Sequence, residues 1–325
     1  MTENTRICAS FTVPHSLSGR RLDQAIADLL PEHSRSRLQG WIKDGVLTLN
    51  GKTCKPRDKV MMGDAIELDA EPEIQVAWQP EIIELDIVYE DEHLLVINKP
   101  AGLVVHPAAG HADGTLVNAL LNYAPELENL PRAGVVHRLD KDTSGIMVVA
   151  RSLIAHTSLV AQLQERTMGR EYEAVIVGTL TGGATVDAPI ARHPRERKKM
   201  AVVPGGKPAV THYRLLERFA AHTLVRCKLE SGRTHQIRVH MAHVRHPLVG
   251  DPAYGGRLRL PKGTTEELRQ VLAGFGRQAL HARQLTLEHP ETDETLSWEV
   301  PLPEDMEILI AALRKHAAEL DNHVS

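Results

Sequence analysis

The stretch that most constrains this chain is residues 135–151, where a crowded polar loop leads directly into a short apolar segment. Seven of the eight residues 137–144 are polar or charged, whereas residues 146–150 are all apolar and match the length of a buried strand. Gly145 stands at the junction, where a chain often turns sharply. Ionisable groups on a tight loop that is anchored by a strand suit catalysis. Such residues can also simply cap an ordered element, and a charged loop can simply be solvated.

The composition is that of an ordinary globular protein. A length of 325 residues predicts about two domains, and 42% hydrophobic with 25% charged residues is a typical balance. The three cysteines are scattered, which argues against a disulfide framework and against zinc spacing. No run approaches the ~18 apolar residues of a membrane span, and residues 1–14 lack the pattern of a signal peptide. We therefore expect a cytoplasmic protein with no membrane partner.

The charges are unevenly distributed along the chain, although the net charge is only −4. Residues 18–62 contain nine Lys or Arg against five Asp or Glu, and residues 189–214 contain seven against one. Between them, residues 63–93 contain eleven acidic residues and no Lys or Arg. Two basic segments flanking an acidic one could bind a polyanion locally despite the negative total.

The first part of the chain predicts a small helical and β module. Residues 1–17 are interpreted as an N-terminal extension, and residues 18–70 as a domain with two short amphipathic helices followed by a small sheet. Ser34 is a candidate cap for the second helix, and Asn50-Gly51 is a strong hairpin signal. Three basic residues are expected on exposed positions of the second helix: Arg35, Arg37 and Lys43.

A larger second domain follows an acidic segment that is rich in proline. Residues 71–84 are interpreted as a linker and residues 85–325 as one domain, in which predicted strands alternate with a few helices. Thr234 is a candidate cap for a helix with Ile237 and Met241 on its core face. The turn at residues 98–102, Asn-Lys-Pro-Ala-Gly, is interpreted as a plain structural turn.

Two strings resemble a known enzyme family. Residues 137–145, His-Arg-Leu-Asp-Lys-Asp-Thr-Ser-Gly, resemble the catalytic-aspartate motif of the RluA-type pseudouridine synthases, and residues 231–240 resemble a second motif of that family. The similarity extends from about Arg20 to the C-terminal helix, and the first domain resembles an S4 RNA-binding module. The resemblance implies an α+β fold, with an S4-type module followed by a catalytic domain around a large mixed, mostly antiparallel sheet.

The resemblance also implies a substrate and a reaction. The expected function is isomerisation of specific uridines to pseudouridine in a stem-loop of 23S ribosomal RNA, without cofactor or metal. The expected partner is that RNA or the precursor of the large ribosomal subunit. The oligomeric state is open, with a monomer as the expectation. The alternatives are a related synthase that acts on other ribosomal or transfer RNA uridines, and a non-catalytic S4-containing assembly protein.

The reaction needs one ionised carboxylate, and the family position assigns this role to Asp140. The chemistry of the residues alone does not distinguish it from Asp142. By the same resemblance, Arg238 is the opposing guanidinium and Tyr172 stacks on the target base. A stacked uridine must leave its helix to reach an enclosed carboxylate. The resemblance links this step to Arg138, and the floor of the base pocket to Ile237.

The neighbouring histidines have simpler interpretations. His137 is expected to orient the loop by hydrogen bonding and not to act as an acid or a base. Four histidines between residues 235 and 246 could suggest a metal, but one helix would direct them to different faces and no cysteine lies nearby. A glycosidase built on Asp140 and Asp142 is disfavoured, because that chemistry needs carboxylates ~5–9 Å apart across a sugar.

Overall fold

The chain folds into two compact units. The computed structural model describes residues 7–31, 35–70, 78–107, 113–258, 260–261 and 263–324. The first unit comprises residues 1–77 and the second residues 78–325. The second unit thus begins inside the segment interpreted as a linker. The reason is that this segment forms hydrogen bonds with the second unit. The Gln79 carbonyl accepts one from the Asn118 side chain at 2.8 Å, and the Glu81 side chain accepts one from the Gly114 amide at 2.9 Å.

The first unit packs two helices against a four-stranded antiparallel sheet of order β1-β4-β2-β3. Its elements are β1 (Ile7–Thr12), α1 (Leu22–Leu29), α2 (Arg35–Asp44), β2 (Leu47–Leu49), β3 (Lys52–Thr53) and β4 (Ala65–Ala70). Strand β1 lies within the expected N-terminal extension and pairs along its whole length with β4, so this segment is part of the sheet. The Asn50-Gly51 hairpin is confirmed between β2 and β3. Ser34 lies outside the described residues.

The second unit contains the remaining strands and helices. Its first half consists of β5 (Ile87–Glu90), β6 (Leu94–Lys99), α3 (Leu116–Tyr123), β7 (Ser144–Ala150), α4 (Leu153–Glu165), β8 (Gly169–Val177), β9 (Ala184–Asp187), β10 (Ile190–Arg192) and β11 (Met200–Val202). Its second half consists of β12 (Val210–Arg218), β13 (His222–Leu229), α5 (Gln236–His243), α6 (Glu266–Gly274), β14 (Leu280–Glu288), β15 (Thr295–Glu299) and α7 (Glu304–Val324).

One nine-stranded sheet organises this unit, with the order β5-β6-β7-β14-β8-β13-β12-β9 and β15 paired with β14. Every pair is antiparallel except β7 with β14, which runs parallel through Ser144–His281 and Gly145–Ala282. The predicted α+β fold with a mixed, mostly antiparallel sheet is confirmed. Strand β14, which comes late in the chain, lies between two strands that come much earlier.

Apolar side chains cover the sheet on both faces. Strand β7 is buried at every residue, as its apolar run predicts. One core surrounds it, with residues of β6, β8, α3 and α4. On the other side, α6 and α7 pack through Leu272, Met306 and Leu309 in a separate cluster with Phe219. Every helix in the described ranges is too short or too polar to cross a membrane.

Two helices of this unit begin with a side-chain cap, and a third lacks the cap that the sequence predicts. Thr115 caps α3 in a reciprocal arrangement with Asn118, and Thr265 caps α6 by accepting a hydrogen bond from the Leu268 amide at 3.2 Å. The prediction that Thr234 caps α5 is wrong. The residue before this helix is His235, which has the left-handed φ of 57° and makes no side-chain cap. The left-handed turn directs the histidine towards the loop of residues 137–144 instead.

Two buried histidines of the sheet should make the second unit sensitive to acid. Burial lowers the pKa of His222 and of His281 to about 4, whereas an exposed histidine titrates near ~6.5. Between pH 6.5 and pH 4 the unfolded chain therefore binds more protons than the folded chain, and the free energy of unfolding decreases as the pH falls through this range. We expect each histidine to lower the free energy of unfolding by about 2–3 kcal/mol when the pH is changed from 7 to 4.5. Urea unfolding at the two pH values measures this decrease.

The variant His281→Asn isolates one of these contributions. The asparagine amide lies near the position of Nδ1 and can keep the hydrogen bond that His281 Nδ1 makes with Ser144 Oγ at 2.9 Å, but it takes up no proton. The loss between pH 7 and pH 4.5 should be smaller in the variant by about 2–3 kcal/mol. An equal loss in parent and variant would show that His281 does not contribute.

Candidate active site

A cleft of about 600 Å³ opens in the second unit, within the range of pockets that enclose small molecules. Its walls come from the loop before β7, from the end of α4, from β8, and from the segment that joins β13 to α5. All five residues that the sequence assigned to the chemistry and to the target base line this cleft: Arg138, Asp140, Tyr172, Ile237 and Arg238.

The register of the sheet explains why these residues meet. Gly145 pairs with Ala282, and Ala282 pairs with Tyr172 on the next strand, so the start of β7 and the tyrosine lie at one level. The loop of Asp140 immediately precedes that level. On the far side, Tyr172 pairs with Cys227 of β13, whose chain continues into α5 and Arg238. Residues far apart in the sequence thus converge at the middle of the sheet.

An ion-pair network fixes the carboxylate of Asp140. Arg238 donates from Nη1 to Asp140 Oδ2 at 2.9 Å, and from Nε and Nη2 to Asp251 at 2.7 and 2.9 Å. Burial alone would raise the pKa of Asp251, but the two hydrogen bonds and the charge of Arg238 bring it below its ordinary value. Burial likewise opposes the charge of Arg238, and the two carboxylates raise its pKa. Arg238 is therefore a permanent cation aimed at Asp140.

His235 borders the same carboxylate. Its Nε2 lies 3.8 Å from Asp140 Oδ1, and its Nδ1 is 2.8 Å from the Tyr254 hydroxyl. Burial lowers the pKa of His235 against the opposing attraction of Asp140. The Tyr254 ring also lies 5.1 Å from the guanidinium carbon of Arg238, a cation–π distance. The tyrosine thus contacts both side chains that flank Asp140, the His235 ring and the Arg238 guanidinium.

The loop itself is anchored by His137, as the sequence interpretation expected. Its Nε2 accepts a hydrogen bond from the Val148 amide of β7 at 3.1 Å, on a stretch where β14 does not pair with β7. Burial lowers the pKa of His137 to about 3, so the ring is neutral at physiological pH and can accept this bond. His137 therefore completes the edge of a strand.

Lys99 is a second anchor, which the sequence interpretation missed. Its buried Nζ donates to the carbonyls of Pro100, Leu103 and Lys141 at 2.8, 2.9 and 3.0 Å, so it ties the turn at residues 98–102 to the loop of Asp140. Burial lowers the pKa of Lys99 to about 8, against the attraction of nearby carboxylates. The turn is thus more than the plain Pro-Gly turn that the sequence suggested.

The remaining cleft residues differ in exposure. Tyr172 is only 7% exposed, and burial raises the pKa of its phenol, against the opposing charge of Arg170 and with a smaller contribution from Asp140. It is therefore a neutral, planar surface beside the carboxylate. Ile237 is buried beneath the cleft, whereas Arg138 is exposed at its rim.

Asp251 was missed as a site residue. It belongs to the string Gly-Asp-Pro-Ala-Tyr-Gly at residues 250–255, which resembles the same enzyme family only weakly. Its Oδ1 also accepts the amides of Ala253 and Tyr254 at 2.8 and 3.0 Å, so the turn that carries it is built around its carboxylate. The only feature in the sequence that could have indicated Asp251 is an acidic residue followed by Pro in a predicted turn. That feature does not reveal that the carboxylate binds Arg238, thirteen residues away.

The basic residues predicted on α2 of the first unit are not equivalent. Lys43 is exposed, and the side chain of Arg35 lies outside the described residues. Arg37 was predicted to be exposed, but it is half-buried and its guanidinium lies 4.9 Å from the Trp41 ring centroid. The correction has a simple reason: residues four apart on a helix are neighbours, and a guanidinium stacks well on an indole.

The histidine-rich helix α5 is explained by ordinary hydrogen bonds. His240 is buried, with Nδ1 2.9 Å from Thr211 Oγ1 and Nε2 2.9 Å from the Ala188 carbonyl. Across the described parts of the chain, no three His, Cys, Asp or Glu side chains are grouped so that they could bind a metal ion.

Sequence comparison matches both units to known families. Residues 93–243 match the RNA pseudouridylate synthase family, and residues 20–66 match the S4 domain. The chain is 62% identical over 303 residues to "Ribosomal large subunit pseudouridine synthase D" of Pseudomonas aeruginosa, which covers 93% of this chain and 95% of that protein. It is 54% identical over 321 residues to the protein of the same name in Escherichia coli K12, covering 97% and 98%.

Comparison with solved structures gives the same fold. Human RNA Pseudouridylate Synthase Domain Containing 4 superposes with a TM-score of 0.58 and 28% identity, covering 70% of this chain and 93% of that one. Human RNA Pseudouridylate Synthase Domain Containing 1 gives a TM-score of 0.52 and 27% identity, covering 72% and 96%.

Proposed function

The chain belongs to the RNA pseudouridylate synthase family, and from this premise we propose that it converts specific uridines of 23S ribosomal RNA to pseudouridine. One observation carries the proposal: a carboxylate, Asp140, lies in an enclosed cleft where Arg238 binds it at 2.9 Å and Tyr172 supplies a planar wall. The names of the 62% and 54% identical relatives support the ribosomal large subunit as the source of the substrate. The proposal extends to a cytoplasmic monomer that acts on free RNA or on the precursor of that subunit.

The reaction matches what this cleft can supply. The bond between C1′ and N1 of the uridine breaks, the uracil turns, and C5 bonds to C1′ while the C5 proton is lost and N1 gains one. The conversion is redox-neutral, so it needs no electron carrier. Asp140 supplies the carboxylate, as nucleophile or as electrostatic partner of the ribose carbon. Arg238 orients that carboxylate and places a permanent positive charge beside it.

The target base needs a place outside its RNA helix. A nucleotide that leaves the stack loses its neighbours, and an aromatic side chain replaces part of that stacking. In this proposal Tyr172 stacks on the uracil and Ile237 forms the floor. Arg138 stands exposed at the rim, where a long cationic side chain can occupy the space that the uridine leaves.

The first unit would add affinity without choosing the uridine. Its match to the S4 domain and the net +4 charge of residues 18–62 support contacts to the RNA backbone. Among the three basic residues predicted on α2, Lys43 is exposed and suits a phosphate contact, whereas Arg37 is engaged with Trp41.

Tritium release tests the proposal directly. A 23S ribosomal RNA transcript carrying uridine labelled with tritium at C5 loses the label only where a new bond forms at that carbon. We expect release from this transcript, and none from 16S ribosomal RNA or transfer RNA prepared in the same way. Release from transfer RNA alone would indicate a related synthase with another substrate, and tight binding of 23S RNA without any release would indicate an assembly protein.

Asp251→Asn should impair both catalysis and stability. An amide can accept only one of the two Arg238 hydrogen bonds and carries no charge, so Arg238 becomes a less compensated buried cation. Breaking a buried ion pair costs about 3–5 kcal/mol, and loosening the guanidinium should lower kcat about 100-fold while changing KM much less. Urea unfolding and tritium-release kinetics measure the two effects.

Glu217→Gln is the matched control for this variant. Glu217 also accepts two hydrogen bonds from one arginine, Arg314, each at 2.7 Å, but this pair is exposed and away from the cleft. It should change stability by less than about 1 kcal/mol and leave kcat unchanged. If Asp251→Asn keeps the kcat of the parent, the network does not position Asp140.

A further inference from the structure

Arg170 is a buried cation in the wall of the cleft. It lies on β8 two residues before Tyr172, so both side chains project from the same face of the strand, and both line the cleft. Arg170 is only 6% exposed. A guanidinium this deeply buried is normally paired, because burial of an isolated charge is costly.

Arg170 has no such partner in the described chain. Its Nε is buried without a hydrogen bond, and its guanidinium forms no ion pair with any described residue. On the neighbouring strand, by contrast, Arg226 is surrounded by Glu171, Glu173 and Glu299. The fold thus surrounds the half-buried Arg226 with carboxylates and leaves the more deeply buried Arg170 without one.

The acidic groups of the cleft are already engaged elsewhere. The cleft is lined by six arginines but only two carboxylates, Asp140 and Glu230. Asp140 is bound by Arg238, and Glu230 is bound by Arg166 at 3.0 Å and by His212 at 2.8 Å. The positive charge of Arg170 therefore faces a space where no protein anion is available to it.

The guanidinium is also closely packed against a rigid turn. A Cβ atom at position 232 would lie 2.6 Å from Arg170 Nη1, so the guanidinium lies directly against the backbone of Gly232. The turn is fixed by Gln236, whose Oε1 accepts hydrogen bonds from Ser231 Oγ at 2.8 Å and from the Arg233 amide at 3.0 Å. The guanidinium of Arg170 thus lies beside a turn that hydrogen bonds hold in place.

We propose that Arg170 binds a phosphate of the RNA strand beside the target uridine. This inference rests on the proposed function and adds a specific anion site to it. A phosphodiester oxygen supplies the full negative charge that the cleft lacks, and a guanidinium binds such a group through two parallel hydrogen bonds. The site lies about 7 Å along β8 from Tyr172, within reach of the backbone of a nucleotide whose base stacks on that ring.

The variant Arg170→Gln separates this role from a structural one. Removing an uncompensated buried charge should maintain or raise the melting temperature of the free protein, whereas removing a structural arginine should lower it. The same variant should bind the 23S transcript about tenfold more weakly and reduce by about one the slope of log affinity against log salt.

Arg269→Gln is the matched control, because it removes one arginine charge from an exposed position on α6, outside the cleft. It should keep the affinity and salt slope of the parent. Binding is measured by filter retention of the transcript over a range of KCl concentrations, so the result does not depend on turnover. A parent that binds the transcript without tritium release would contradict the proposed function alone.

Three results would overturn the phosphate site. The first is an affinity and a salt slope for Arg170→Gln equal to those of Arg269→Gln. The second is a lower kcat with an unchanged salt slope, which would indicate contact with a neutral group such as a uracil carbonyl. A lower melting temperature together with an unchanged salt slope would indicate a packing role.

Discussion

Asp140→Asn should abolish tritium release from labelled 23S RNA while leaving the protein folded. The asparagine has nearly the same shape, but it carries no charge and is a poor nucleophile. We expect kcat to fall by on the order of 10⁴-fold or more, the scale seen when a group that acts directly in the chemistry is removed. Folding should persist, because Arg238 keeps both hydrogen bonds to Asp251.

The neighbouring carboxylate provides the control for this result. Asp142 is half-buried on the same loop but does not line the cleft, so Asp142→Asn should retain most of the parent's activity. Circular dichroism and RNA binding would show that both variants are folded. Release by Asp140→Asn but not by Asp142→Asn would move the reactive carboxylate to Asp142 and overturn the assignment.

Gly145→Ala should have the largest effect on stability. A Cβ at this position would lie 2.5 Å from the amide nitrogen and 2.7 Å from the carbonyl carbon of Ala282, and the backbone has φ of +116°. The clash falls on one of the two residue pairs that join β7 to β14, so the strands would have to separate. We expect a loss of about 4 kcal/mol or more in unfolding free energy by urea titration, with loss of activity.

Gly182→Ala is the control for that substitution. Gly182 is in the same unit, has no positive φ, and has nothing within 4 Å of where a Cβ would be. Its replacement should change stability by less than about 0.5 kcal/mol. If the two variants unfold at the same urea concentration, the close approach of β14 to Gly145 is not a constraint on this fold.

The sequence predicted those parts of the molecule that depend on local pattern. The apolar run after Gly145 predicted a buried strand, and Asn50-Gly51 predicted a hairpin, because periodicity and turn chemistry act between neighbours. The positions of Asp140, Tyr172 and Arg238 came from similarity to a family. No spacing rule would bring together residues separated by up to 98 positions.

The predictions that failed depend on tertiary contacts. Thr234 looks like a helix cap, but the left-handed turn at His235 is set by its place between Asp140 and Tyr254. Lys99 looks like part of a surface turn, but its ammonium group is buried and also donates to the distant Lys141 carbonyl. In both cases the deciding partner lies far along the chain, where local propensity carries no information.

The position of β14 has a consequence for how this protein is made. The strand from Leu280 to Glu288 lies between β7 and β8, which are synthesised more than a hundred residues earlier, and it sets the distance between Asp140 and Tyr172. Until residues 280–288 have been synthesised, no strand pairs with both β7 and β8. The two walls of the cleft that carry Asp140 and Tyr172 are then not held at a fixed distance. Contacts of such long sequence separation also form slowly. Catalysis is therefore expected only when translation is nearly complete, and a prematurely terminated product that ends before Leu280 should convert no uridine even though it retains the first unit.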